Sequence, residues 1–174
     1  MQNIYEENYT KIIEPIYGEK RELKQDELFT MHINSSHKFQ IKERTSFCDK
    51  NTYTIDPDGC LDADDAFSIY EEDGLLYLAI HIADPTEYID IQSPLWEDIK
   101  MRTTTKYLSN RPPIHMMPKE ILDLSSLMVN SKGDNKKAIT ILTEIDKNTY
   151  KPVNSIKLLY TELKVKKEKL YKKT

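Results

Sequence analysis

The stretch TIDPDGCLDADDA, residues 54–66, limits what this chain can become more than any other. Asp56, Asp58, Asp62, Asp64 and Asp65 place five carboxylates within ten positions. Like charges this dense repel one another and raise each other's pKa unless something neutralises them. A hard divalent cation does so, because Mg2+ takes carboxylate and phosphate oxygens together. Two such ions about 4 Å apart can activate water and hold the leaving oxygen of a phosphodiester. An acidic surface loop is the plainer reading, and the residues alone leave both open. An EF-hand calcium loop is excluded: counted from Asp56, Leu61 stands at the glycine position and Phe67 at the closing glutamate.

The flanking pattern sets this cluster between strands. Tyr53–Thr54–Ile55 is a short β-prone run that ends at Asp56-Pro57, and Asp58-Gly59 signals a turn. Ala66–Tyr70 and Leu75–Ala83 read as two strands whose link ends in Asp73-Gly74, a hairpin signal. In the second, Leu76, Leu78, Ile80 and Ile82 share one face, and Tyr77, Ala79 and His81 the other. A lone His in a strand is more often a hydrogen-bonded structural residue than a ligand, so His81 is left out of the site.

Ser93-Pro94 resembles a helix start, with Ser as N-cap and Pro at the first helical position. Glu97 and Asp98 suit the positive end of the helix dipole. Trp96, Ile99, Thr103 and Tyr107 fall on one helical stripe. Pro112-Pro113 ends any helix, and Pro118 breaks the chain again. Ala138–Ile145 is a further strand, and Ser155–Lys173 reads as a strand turning into a basic helix. Residues 1–43, with one apolar run at Leu28–Met31, form a lead-in without a domain of its own. The expected class is α/β mixed, α+β in kind, with a mixed sheet and flanking helices over 44–174.

Charge is uneven. Net charge is −4, yet from Lys147 onward nine Lys face only Glu162 and Glu168, so everything before is strongly acidic. A nucleic-acid binder is usually basic overall. The basic tail can meet phosphates or form a solvated helix face. Hydrophobic residues at 39% and charged residues at 31% fit a globular chain. No apolar run approaches the roughly 20 residues of a membrane span. A polar, acidic N-terminus and two cysteines, Cys48 and Cys60, without CxxC spacing, point to reduced thiols and a cytoplasmic setting, with the nucleus also open.

TIDPDGCLDADDA followed by LAIHIADPTEYI at 78–89 resembles the opening of the catalytic (RNB) domain of the ribonuclease II and R family. The likeness continues through Ser93-Pro94-Leu95 to Arg102, Thr104 to Leu108, Ile114 to Pro118 and Ser126-Leu127, and begins upstream near Arg44. It implies that Asp56, Asp62, Asp64 and Asp65 surround Mg2+, with Mn2+ as the alternative, at the bottom of an RNA channel. Asp62 and Asp64 would be catalytic. Tyr107 and Tyr171 line up with tyrosines that contact the 3′-terminal nucleotides of single-stranded RNA. For Tyr107, packing beside Trp96 is an equal alternative, and Tyr171 matches in a motif one residue short.

The resemblance also implies what is absent. The matched part is the N-terminal third of the domain, without the downstream arginine and glutamate that assist the chemistry or the flanking RNA-binding barrels. Leu122 stands where the family has Ser, and Asp134-Asn135-Lys136 where it has Asp-Arg. The expected function is metal-dependent 3′–5′ exoribonuclease chemistry, completed by a second polypeptide where this chain is insufficient. The alternative is a non-catalytic remnant that binds metal and RNA.

Overall fold

The β-prone runs around the aspartates fold into one sheet. The computed structural model describes Gln25, 27–30, 43–57, Cys60, 62–107, 112–129, Ser131, 135–153 and 155–171. Seven strands are formed: β1 (Thr45–Ser46), β2 (Thr52–Pro57), β3 (Asp65–Glu72), β4 (Leu75–Ala83), β5 (Lys136–Ile145), β6 (Lys157–Leu163) and β7 (Val165–Tyr171). Their order is β1-β6-β5-β4-β3-β2-β7. The β1–β6 and β2–β7 pairs are parallel, and the rest are antiparallel. A mixed sheet with few helices is the class the sequence predicts.

The sheet must curl. Only Lys164 separates β6 from β7, yet β6 lies next to one edge and β7 is the other. Two Cα steps span at most about 7.6 Å, so the two sides of the sheet come together there. A tight curl leaves little interior volume, and the inward positions are small. Ala63, Ala66, Ala79 and Ala138 line the core with Phe47, Leu127 and Leu163. Thr52, Thr54, Ser68, His81, Thr140 and Thr161 share the inner face and are fully buried. The outer positions are larger and wetter, with Ile55, Ile69, Ile80, Ile82 and Leu158 all exposed.

The β3–β4 hairpin turns through Asp73 (φ 50°) and Gly74 (φ 78°), both left-handed as a two-residue turn of this hand requires. β3 and β4 pair from Asp65↔Ile82 to Glu72↔Leu75, and β4 pairs β5 through His81↔Thr140. Arg44 braces the β4 end: it donates to the carboxylates of Asp84 and Glu87 and to the carbonyls of Ala138 and Thr161.

The described residues fall into two compact units, one within 40–87 and 122–174 that holds the sheet, the other before 40 and within 88–121. In the second, α1 (Pro94–Arg102) starts as predicted: the Ser93 hydroxyl accepts from the Trp96 N–H at 3.1 Å, and Pro94 opens the helix. Leu95, Ile99, Ile89, Phe29 and Ile121 form its core. Arg102, 1% exposed, bonds Asp98 (2.9 Å) and the His115 carbonyl (3.1 Å). A short α2 (Lys119–Ser125) follows Pro118.

Two expectations need correction. Ser155–Lys173 does not turn into a basic helix: its described part forms β6 and β7, the latter paired in parallel with β2 from Thr52↔Val165 to Pro57↔Tyr171. An open edge beside β2 outweighs the helix propensity of the lysines, because strand preference is set by the neighbours on offer. The stripe from Trp96 to Tyr107 is also interrupted. Thr103, at φ 62°, caps α1 through its N–H to the Ile99 carbonyl, so Tyr107 lies beyond the helix and is 78% exposed. Packing beside Trp96 is thereby removed as its role. The Asp58-Gly59 turn and residues 1–24 lie outside the described residues.

Candidate functional site

Antiparallel pairing brings the aspartates together from the two ends of the motif. β2 and β3 pair at Thr52↔Ser68 and Tyr53↔Phe67. The pairing ends there, with Asp56 three residues further along β2 and Asp64 just before the start of β3. Asp65 opens β3 opposite Ile82 of β4, and the Asp64 carbonyl accepts from the Ala83 N–H at 2.8 Å. The loop between them is clasped from the other side. Ala63 N–H donates to Ser126 Oγ (3.3 Å) and the Ala63 carbonyl accepts from the Leu127 N–H (2.9 Å). The Cys60 thiol donates to the Asp62 carbonyl (2.9 Å) and lies 3.8 Å from Asp56 Oδ1.

The electrostatics record this crowding. The Asp64 carboxyl is raised above its ordinary value, first by partial burial and then by the charges of Asp62, Asp65 and Asp56. The other three sequence-predicted aspartates thus lie near enough to act on Asp64. Asp56 Oδ2 is buried without a hydrogen-bond partner, and an acceptor left so costs about 1–3 kcal/mol.

The residues fit a hard divalent cation. Every carboxylate donor is oxygen, their summed charge is unfavourable alone, and one buried oxygen lacks a partner. Among the described residues no three acidic, His or Cys side chains form a ready-made metal cage.

The tyrosines are placed differently. Tyr107 belongs to the unit of residues 88–121 and stands exposed there. Tyr171 ends β7 in register with Pro57, one step from the Leu170↔Asp56 pair, so its backbone borders the aspartate strand. His81 is fully buried and bonded at both ring nitrogens, to Ser68 Oγ (2.9 Å) and Thr140 Oγ1 (2.7 Å). The structural role expected of it holds. The clasp by Ser126 and Leu127 was not anticipated, since pairing across more than 60 residues leaves no local pattern, and nor were the local Cys60 contacts to Asp56 and Asp62.

Comparison with known proteins agrees with this geometry. A family model described as the RNB domain matches residues 44–171. Exoribonuclease 2 of Serratia proteamaculans (strain 568) is 42% identical over 84 residues, covering 47% of this chain and 13% of that protein. Mitochondrial exoribonuclease II of Saccharomyces cerevisiae is 29% identical over 136 residues, covering 72% of this chain and 14% of that one. Among solved structures, RNase R of Mycoplasma genitalium with ribose-methylated single-stranded RNA superposes with a TM-score of 0.66 at 20% identity, covering 83% of this chain and 22% of that chain. Yeast Ssd1, described as a pseudonuclease, gives a TM-score of 0.62 at 19% identity over 72% of this chain and 15% of its own. The chain thus spans well under a third of the length of these relatives, and the matched segment includes the whole aspartate motif and all seven strands. By that match the chain belongs to the RNB domain family.

Proposed function

We propose that this chain takes part in metal-dependent hydrolysis of single-stranded RNA from its 3′ end, releasing nucleoside 5′-monophosphates. The observation that carries the reading is the action of three neighbouring carboxylates, Asp62, Asp65 and Asp56, on Asp64, with a buried Asp56 oxygen lacking a partner, inside an RNB domain. Asp56, Asp62, Asp64 and Asp65 would hold Mg2+ or Mn2+. Bound there, the cation supplies positive charge for the phosphate oxygens and a water acidified toward neutral pH. The chain's own part is to hold Asp62 and Asp64 beside the scissile phosphate, with Asp56 and Asp65 fixed by their strands. Exposed Tyr107 offers a face on which a base can stack, and such stacking is sequence-tolerant.

A second reading is a non-catalytic RNB remnant that binds metal and RNA. A fold like that of yeast Ssd1, described as a pseudonuclease, is compatible with it. A second polypeptide carrying the rest of the domain would reconcile the two. The test is cleavage of end-labelled single-stranded RNA with Mg2+ or Mn2+, for the chain alone and with such a polypeptide. Asp64→Asn should lower cleavage by about 10²-fold or more while RNA affinity holds or rises, since repulsion from phosphate falls. No metal-dependent cleavage from the unmutated chain in either setting refutes the exonuclease reading.

A further inference from the structure

The inner face of the sheet carries an unbroken line of polar side chains across five strands. Thr52 Oγ1 meets Ser68 Oγ (2.9 Å), and Ser68 meets His81 Nε2 (2.9 Å). His81 Nδ1 then meets Thr140 Oγ1 (2.7 Å), and Thr140 meets Thr161 Oγ1 (2.6 Å). All five are fully buried, and the line ends where the Thr161 hydroxyl reaches the Ala138 carbonyl at 3.4 Å. That carbonyl can only accept, which sets the direction of every bond before it. Thr161 donates to Ala138, Thr140 to Thr161, His81 Nδ1–H to Thr140, Ser68 to His81 Nε2 and Thr52 to Ser68. Each hydroxyl donates once, and the imidazole is the neutral Nδ1–H form. Hydrogen bonds chained in this way polarise one another.

Burying five polar groups in a small core has no advantage over apolar packing unless it specifies something. What needs specifying is β2. Its pairing with β3 comprises only two residue pairs, against eight between β3 and β4. Its pairing with β7 carries an irregularity between Thr52 and Tyr53. The Thr52–Ser68 bond lies at that point. A one-residue slip of β2 would turn Asp56 to the other face. A two-residue slip keeps the face but moves Asp56 along the strand by about 6.6 Å, far more than the roughly 2.1 Å bonds of a shared Mg2+ tolerate.

We infer that the Thr52–Ser68–His81–Thr140–Thr161 line is the register lock of the aspartate site, with Thr52, Ser68 and His81 as positioning residues. It joins β2 to the well-paired β3–β6 block and so holds Asp56 within electrostatic reach of Asp64. The function assigned to it rests on the metal-site reading, but the register itself can be measured without metal.

The test uses the full chain and two readouts: cross-strand NOEs between the Tyr53 and Phe67 rings, whose centroids lie 5.9 Å apart, and Mn2+ affinity by EPR. Thr52→Val with Ser68→Ala should weaken or double those NOEs and lower Mn2+ affinity about tenfold. Thr52→Ser, which keeps the hydroxyl, should leave both unchanged, and so should Ile99→Val, a core variant in the other unit. If the double variant fails to fold, Thr52→Val alone, which leaves His81 satisfied, should show the same changes to a lesser degree. Unaltered NOEs, or altered NOEs with unchanged Mn2+ affinity, overturn the inference. A wild-type chain that binds no Mn2+ refutes the metal site instead, and the NOEs still decide whether the lock exists.

Discussion

Acid should unfold this protein through one histidine to a measurable extent. His81 has no exposed surface, and its ring nitrogens bond the Ser68 and Thr140 hydroxyls, with the edge-packed Phe47 ring 5.3 Å away. No charged group compensates it, and burial lowers its pKa from 6.5 to about 4. The unfolded chain therefore binds this proton first. Stability attributable to the neutral imidazole is fully present above pH 6.5 and is lost as pH falls toward 4. The difference between those values corresponds to about 3 kcal/mol, a large share of the roughly 5–15 kcal/mol available to a domain. The assay is urea unfolding of the wild type and of His81→Gln at half-unit steps from pH 7.5 to 4. Carboxylates titrate in both proteins and largely cancel in the difference. The wild type should lose about 1.4 kcal/mol more per pH unit than the variant over this window. Parallel pH profiles for the two would refute the argument that His81 is buried neutral.

Two further outcomes follow from features of the fold. Ser93→Ala removes the hydroxyl that accepts from Trp96 and donates to the Asp90 carbonyl at the start of α1 and should cost about 1 kcal/mol by urea unfolding, with Ser93→Thr, which keeps the hydroxyl, losing less. Arg44→Met removes the guanidinium bonded to the fully buried Asp84 carboxylate and should cost about 3–5 kcal/mol, read as a fall in the urea midpoint.

How much of this was legible beforehand depended on how far each residue's partner lies along the chain. The β3–β4 hairpin needs only alternation and an Asp73-Gly74 turn, and α1 needs only Ser93-Pro94, so local reading found both. The aspartates were legible because five like charges in ten residues demand an explanation even before their partners are known. β7 was not. Val165–Tyr171 has no clean period of two, and it is a strand because β2, more than 100 residues earlier, offers an edge. Tyr107 was placed on a stripe that helical spacing allows, but Thr103 ends the helix with a left-handed backbone that β-branched residues rarely adopt. The polar line through His81 was equally hidden, since its members are spread from residue 52 to residue 161 and each alone is an ordinary strand residue.

The parallel pairing of β2 with β7 has a consequence for the order of events at the ribosome. The strand that ends in Asp56 is made early, but its longest run of partners, Val165 to Tyr171, emerges about 110 residues later. At 5–20 residues per second that is a delay of about 5–20 s. Throughout that interval β2 has only its two-pair contact with β3, and contacts so distant in sequence also form slowly. The strand that carries Asp56 is thus fully paired only once residues 165–171 have been made. A nascent chain interrupted before residue 165 would carry the whole aspartate motif and still lack the strand with which β2 makes most of its pairs.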